Sequence, residues 1–200
     1  MSYCLPPTVS HETSIGKKLS ASDRFLSVVN PANEKNIRVF SLEGKSDAIA
    51  QWDMETEIRD LQWHRSSGVE VLFTGFSCGT AKLSTLEENS STLKQVVSFE
   101  RHGDASSYEC PTFHPTCPSL LATCGKPTIH VWDIERNSKP IFSTKDDGGN
   151  ISSLNWSYNG DLIISTDSLG GLKLQDVRGK IGEAMHEPKA HNKGTSMRVI

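Results

Sequence analysis

Two groups of residues in this chain carry side chains that could do chemistry. The first is Gly75-Phe76-Ser77-Cys78-Gly79, which fits the G-x-S-x-G pattern of a serine nucleophile on a strained turn between a strand and a helix. The second is a set of three cysteines and a histidine that could ligate a metal: Cys110, His114, Cys117 and Cys124. Whether either group can act depends on the elements that position it.

The G-x-S-x-G segment lacks the element that must follow a nucleophile elbow. An apolar strand is predicted before Ser77, and His191 and several aspartates come later in the chain as candidate triad partners. The residues after Gly79 keep the alternation of a strand, whereas an elbow continues as a helix. Equivalent positions of the next two units, 124–127 and 167–170, are ordinary turns between strands. We therefore predict a turn, with a Ser77 hydrolase as the enzymatic alternative.

The cysteines and the histidine do not have the spacing of a zinc site. Such sites favour C-x₂₋₄-C pairs, and these cysteines form none. Cys110 and Cys124 fall on different predicted strands with Cys117 in the turn between them, and buried cysteine commonly acts as a small hydrophobe. Neither a glycine-rich phosphate loop nor an H-E-x-x-H motif occurs. The sequence predicts no catalytic residue, no metal site and no cofactor.

A repeat of about 43 residues organises the chain. One set of alternating apolar segments recurs every 43 to 48 residues, at 36–42, 80–86, 128–134 and 171–177. A second set precedes it, and a third set ends on the aromatic residues Trp63, Phe113 and Trp156. Each unit reads as four strands joined by turns that contain Gly, Pro, Asn or Ser. Four-stranded units of this period are typical of a WD-repeat β-propeller, so the predicted fold class is all-β.

The repeat also divides the chain into units. Residues 1–22 are expected to be partly disordered or to form an end strand, and 23–200 to form a partial propeller. The predicted units are 23–57, 58–100, 101–146 and 147–190, with the start of a further unit at 191–200. About four blades are expected, in an incomplete ring. In an incomplete ring the last sheet would expose the unpaired backbone N–H and C=O groups of an edge strand, and these could pair with another chain.

The name-giving dipeptide of the repeat family occurs at the expected place. Trp132-Asp133 closes the third predicted strand of its unit, whereas Trp52-Asp53 lies outside the repeat register. Resemblance to WD repeats implies a buried hydrogen-bond network of a His, a Ser or Thr, an Asp and the Trp, which His102, Thr123 and Trp132 match. The Asp position falls at 126–127, which is Lys-Pro, so the network is expected to be incomplete. We interpret these residues, with Asp133, as structural.

The fourth unit carries more specific motifs. These are the strand pair that begins with Trp156-Ser157, the turn at 176–180 and the segment 191–198, in which Ser196 replaces an arginine. Over residues 24–200 the chain resembles the coronins, and its opening at 16–20 is closer to that of the long tandem-propeller coronins. The resemblance implies a cytoplasmic, cytoskeleton-associated scaffold of actin filaments. Exposed cations would make the contacts: Arg59, Lys82, Lys173 and Arg178.

Composition fits an interaction protein better than a nucleic-acid or membrane protein. Twenty-one Lys and Arg residues against 24 Asp and Glu residues give a formal net charge of -3, which argues against polybasic binding of nucleic acid. No apolar run approaches the roughly 20 residues of a membrane span. Five cysteines without a secretion signal indicate reduced thiols. The alternative to actin is a WD-repeat adaptor in vesicle trafficking or ubiquitin ligation. Oligomers are expected only if a coiled coil lies beyond this chain.

Overall fold

The computed structural model describes residues 18–43, 47–66, 69–86, 92–99, 109–125, 128–136, 139–145, 149–178 and 184–187. These residues form four antiparallel sheets of four strands each. Sheet one contains β1 (Leu19–Ala21), β2 (Phe25–Val29), β3 (Asn36–Ser41) and β4 (Ala48–Asp53). Sheet two contains β5 (Ile58–Ser66), β6 (Val69–Phe76), β7 (Ala81–Leu86) and β8 (Leu93–Phe99). Sheet three contains β9 (Glu109–Phe113), β10 (Leu120–Gly125), β11 (Thr128–Asp133) and β12 (Phe142–Lys145). Sheet four contains β13 (Ile151–Trp156), β14 (Leu162–Asp167), β15 (Leu172–Asp176) and β16 (Ala184–Glu187).

Each sheet is a meander in which consecutive strands pair. The first strands, β1, β5, β9 and β13, contact one another in chain order, so each sheet runs outward from its first strand to its fourth. Four such sheets side by side are blades of a β-propeller, and the all-β prediction is confirmed. We number the blades one to four in chain order. Blade one begins at Leu19, four residues before the start predicted for the first unit.

The core of this protein lies between successive blades. Val29, Ile37 and Val39 of blade one pack with Ile58, Leu61 and Trp63 of blade two. Alternate side chains of a central blade enter different clusters, because successive residues of a strand point to opposite faces. In β10, Leu121 packs toward Phe73 of blade two, and its neighbour Ala122 packs toward Ile163 of blade four. This is why β10 and β11 are apolar on both faces.

The connections between strands lie on two opposite faces of the blades. We call the lower face the one that carries the turns from first to second strand and from third to fourth strand. The upper face carries the turns from second to third strand and the connections between blades. In blade three, Phe113, Leu120 and Asp133 lie at the lower end, since Leu120 and Leu121 pair with Asp133 and Phe113 respectively.

Candidate functional site

The tryptophan of the Trp-Asp dipeptide makes a buried hydrogen bond inside blade three. Trp132 Nε1 donates to Thr123 Oγ1 over 3.0 Å, and both side chains are almost fully buried. The Trp132 ring also packs edge-on against Phe99 of blade two, with 5.2 Å between ring centroids. His102 lies outside the described residues. Asp133 accepts a hydrogen bond from the Glu135 backbone at the lower end of the strand and takes no part in the Thr123–Trp132 pair.

A structural aspartate of the kind missing from blade three is present in blade four. Asp167 ends β14, and its Oδ1 accepts hydrogen bonds from the backbone N–H groups of Leu169 and Gly171, at 2.7 and 2.8 Å. Burial by itself would raise the pKa of Asp167, but backbone hydrogen bonds from the turn and from Gly149 outweigh it and lower the pKa. The sequence prediction treated 167–170 only as an interstrand turn. The sequence signal for this structural role was the aspartate two residues before Leu169, together with the paired glycines that follow Leu169.

The G-x-S-x-G segment is a hairpin turn. Ser77 follows β6 directly, the antiparallel strand β7 begins at Ala81, and Gly79 has a φ of 82°. The arrangement is strand–turn–strand, without the helix that a nucleophile elbow requires. The neighbouring Cys78 thiol lies 3.0 Å from Thr80 Oγ1. Partial burial by itself would raise the pKa of this thiol, but its contacts with Thr80 and Thr56 outweigh burial and lower the pKa.

The cysteines and the histidine of the second group have separate local partners. Cys110 Sγ donates to the Ser152 carbonyl at 3.4 Å, Cys117 Sγ lies 3.4 Å from a serine hydroxyl, and Cys124 is buried in the core between blades three and four. Among the described residues no group of three His, Cys, Asp or Glu side chains could hold a metal ion.

The four cations proposed for partner contacts lie on two blades. In blade two, Arg59 lies 3.9 Å from Glu57, and Lys82 lies over the Phe76 ring at 5.8 Å. In blade four, Lys173 is half-buried in β15. Arg178 lies between two carboxylates, 2.6 Å from Asp161 and 3.3 Å from Asp176. The hydrogen bonds that the Arg178 guanidinium donates to Asp176 raise its pKa. Arg59 and Arg178 are thus already engaged with carboxylates of this chain.

A histidine of blade three ties that blade to blade four. His114 Nδ1 accepts hydrogen bonds from the backbone N–H groups of Thr116 and Cys117, and Nε2 lies 3.1 Å from the Gly160 carbonyl. With Nδ1 accepting, Nε2 must carry the proton and donate to that carbonyl. The ring packs edge-on against Trp156 at 4.6 Å. Gly160 has a φ of 78°, and a Cβ there would lie 2.1 Å from the His114 ring.

A second histidine–aromatic contact, stacked rather than edge-on, joins blades two and three. His64 stacks on Phe113 with ring centroids 4.2 Å apart, and its burial lowers the pKa of the imidazole. In each case the histidine directly follows the aromatic residue of the repeat, Trp63 or Phe113. Sequence reasoning used those aromatic residues only to set the period. The aromatic-His pairs in consecutive units were the signal for this contact.

Beside the His114 contact, the lower face carries a groove of about 350 Å³ between blades three and four. It is lined by aromatic and proline residues together with short polar ones: Phe113, Pro115, Thr116, Asn155, Trp156, Ser157, Tyr158 and Asn159. Tyr158 is 98% exposed. The turn that carries it is held by Ser157, whose Oγ accepts from the Leu162 N–H at 3.0 Å. This blade three–four groove joins an exposed aromatic residue to an ordered turn.

Comparison with solved structures supports the same fold. One chain in the crystal structure of the mitotic checkpoint complex superposes on 86% of this chain with a TM-score of 0.67 at 18% identity, and 49% of that chain is covered. This chain has the β-propeller fold. No protein-family model matches it. Within the described part of the propeller, no helix has the length and apolar character to cross a bilayer.

Curated relatives of the propeller come from several kinds of protein. Maintenance of telomere capping protein 5 of Saccharomyces cerevisiae is 24% identical over 123 residues, which is 61% of this chain and 10% of the relative. The transcriptional corepressor LEUNIG_HOMOLOG of Arabidopsis thaliana is 33% identical over 75 residues, 38% of this chain and 9% of the relative. Rat echinoderm microtubule-associated protein-like 1 is 25% identical over 107 residues, 48% of this chain and 13% of the relative. The propeller spans about a tenth of the length of these relatives.

Proposed function

We propose that this propeller is a non-catalytic scaffold for protein–protein interaction. The observation that carries the proposal is that the polar side chains that could do chemistry have structural roles, whereas the lower face exposes an aromatic side chain to solvent. Ser77 lies in a hairpin turn, and His114 is used by backbone groups of two blades. Tyr158, by contrast, is presented to solvent from an ordered turn beside an aromatic groove. Rigid blades that support exposed loops are suited to binding other proteins.

The partner that the sequence resemblance favours is the actin filament, with a cytoplasmic, cytoskeleton-associated location. Support comes from the coronin-like motifs of blade four, including Asp176 and Arg178, which the structure joins at the lower face. The similarity to a microtubule-associated protein favours a cytoskeletal role as well. The alternative is an adaptor in a non-actin assembly, for which the sequence analysis gave vesicle trafficking and ubiquitin ligation as examples. The telomere-capping and corepressor relatives favour a non-actin assembly without favouring either example.

Co-sedimentation tests the actin proposal. The 200-residue chain is spun with actin filaments at low and at physiological salt, with microtubules in a parallel series. We expect saturable pelleting with actin that weakens as salt rises, since exposed charges are screened. An Arg59→Glu, Lys82→Glu double variant should pellet less, whereas the exposed Lys94→Glu, on the outer strand of the same blade, should not differ from the parent. Pelleting of neither filament would leave the scaffold without a cytoskeletal partner, and equal pelleting of all variants would remove these cations from the interface.

A further inference from the structure

We infer that two copies of this chain join head to tail into one ring of blades, in which the leading face of blade four in each copy packs on the trailing face of blade one in the other. The leading face of a blade is the side toward the following blade in the chain, and the trailing face is the side toward the preceding blade. Such a ring needs no coiled coil beyond this chain and is independent of the scaffold function proposed above.

Inside the chain, every leading face packs on a trailing face, and the apolar residues of both are buried. Each of the three hydrophobic clusters of the core spans one junction between successive blades. The leading faces present pairs of residues from the second and third strands that are at most 2% exposed, namely Phe73 with Leu83 and Ala122 with Val131. The trailing faces present second-strand residues that are equally buried, namely Leu72, Leu121 and Ile163.

Blade four has a leading face of the same apolar kind that is not buried in this way. Its second and third strands place Ile164 opposite Leu174, as Phe73 lies opposite Leu83 in blade two. Ile163 lies in the cluster with blade three, so its neighbour Ile164 points to the other side of the sheet. Ile164 and Leu174 are only half-buried, and neither belongs to a hydrophobic cluster of the described core.

Blade one has a trailing face that is not buried either. One row of residues crosses its four strands in register: Ala21, Leu26, Phe40 and Ala48. The two alanines are exposed, Leu26 and Phe40 are half-buried, and all four lie outside the hydrophobic clusters of the described core. Val39, the neighbour of Phe40, points to the other side of the sheet and is buried in the cluster with blade two. The contrast between adjacent rows marks a face that lacks a neighbouring blade.

A second copy of the chain is the occupant that matches both faces. Blade four offers a leading face and blade one a trailing face, which is the combination that every internal junction uses. The first strands contact one another from β1 through β5 and β9 to β13, and the described parts of β13 and β1 make no comparable contact, so the two faces do not cover each other within one chain. The exposed Arg38 also lies on the trailing face, where its aliphatic stem can cover apolar surface while its charge stays in water.

The two faces are different surfaces, so their contact is heterologous and repeats until the assembly closes. Two copies of a four-bladed unit give a ring within the range of about four to eight blades that propellers typically have. Closure uses both faces of both copies and removes their half-buried apolar residues from water, which is the driving force for association.

Sedimentation velocity of the 200-residue chain at micromolar concentrations tests the ring. We expect one species with the mass of two chains, and this mass should not grow with concentration, because a closed ring leaves no free face. Leu174→Arg and Phe40→Arg each place a charge in one of the two faces, and each variant should sediment as single chains. Val96→Arg changes a residue that is 59% exposed on the outer strand of blade two and should behave as the parent.

An equimolar mixture of the two face variants tests which faces meet. In a mixed pair both arginines fall in the same junction and the other junction is intact, so the mixture should regain a species with the mass of two chains. Circular dichroism and urea unfolding establish that each variant folds like the parent. If an arginine variant does not fold, Leu174→Ala or Phe40→Ala takes its place, and the dissociation constant of the pair should then rise about tenfold.

Four results would contradict the ring. A parent that sediments as single chains has no such contact, and a parent whose mass keeps growing with concentration forms open filaments instead. If one face variant keeps the mass of two chains by itself, like faces are paired. If the mixture stays as single chains although both variants are folded, the leading face of blade four does not meet the trailing face of blade one.

Discussion

The contact between His114 and Gly160 makes a sharp prediction about stability. Gly160→Ala introduces a Cβ that would lie 2.1 Å from the His114 ring, at a residue whose φ is 78°. The left-handed backbone alone costs an alanine about 1–2 kcal/mol. Displacing the ring also breaks its hydrogen bond to the Gly160 carbonyl, worth about 1 kcal/mol, and its contact with Trp156, worth about 0.5–1.5 kcal/mol. We expect a loss of about 2.5–4.5 kcal/mol, a large part of the stability of an ordinary domain.

Urea unfolding followed by tryptophan fluorescence measures this loss, because Trp156 lies in the contact. The decisive control is Gly160→Ala in a His114→Ala background, where the clash no longer exists. There the substitution should cost only the backbone part, about 1–2 kcal/mol. If Gly160→Ala costs the same in both backgrounds, or leaves the unfolding midpoint of the parent unchanged, the His114 ring does not occupy the space assigned to it.

Three further predictions concern buried polar groups. Trp132→Phe removes the donor to Thr123 and should lower the unfolding free energy by about 1–3 kcal/mol, whereas a Thr123→Val, Trp132→Phe double variant should lose less than the sum of its single variants in urea unfolding. The Asp167→Asn variant should be less stable than the parent at pH 7. Because the pKa of Asp167 is lowered in the folded chain, its carboxylate stabilises the fold above the unfolded-state pKa, and this stabilisation is lost as the pH falls through the folded-state pKa. Thermal unfolding should therefore show the difference in stability between variant and parent shrinking below about pH 4. Because the pKa of buried His64 is lowered in the folded chain, His64 is protonated in the unfolded chain at a higher pH than in the folded one. The stability of the parent should therefore fall as the pH drops below about 6.5. His64→Phe keeps an aromatic ring against Phe113 and should make the thermal stability depend less on pH in this range.

The strands and their grouping could be predicted from the sequence because they depend on local patterns. Alternation of apolar residues marks a strand, and a repeat of about 43 residues makes each unit four strands long. The third strand of blade three ends with Trp132-Asp133, as its place in the repeat indicates. The turn at Ser77 could be predicted for the same reason, since the segment after it alternates like the strand it is.

Contacts between blades were decided by the tertiary structure. Asp60 Oδ2 accepts from the Cys110 N–H at 2.8 Å, and His114 reaches Gly160, although about one repeat separates the members of each pair. Nothing local to any of these residues specifies its partner, because the pairing follows from how adjacent blades are set against each other. The same holds for Arg178, which the sequence shows as a free cation and the fold places between Asp161 and Asp176.

The sequence by itself thus determined the all-β architecture and the four-stranded unit. Both depend on the spacing of apolar residues along one chain segment, because successive side chains of a strand point to opposite faces of its sheet. Only the tertiary structure decided that Phe113, Pro115, Trp156 and Tyr158 surround one groove, because two turns about 40 residues apart meet there when blades three and four pack. Because this surface is assembled from two repeats, no pattern within either repeat predicts it.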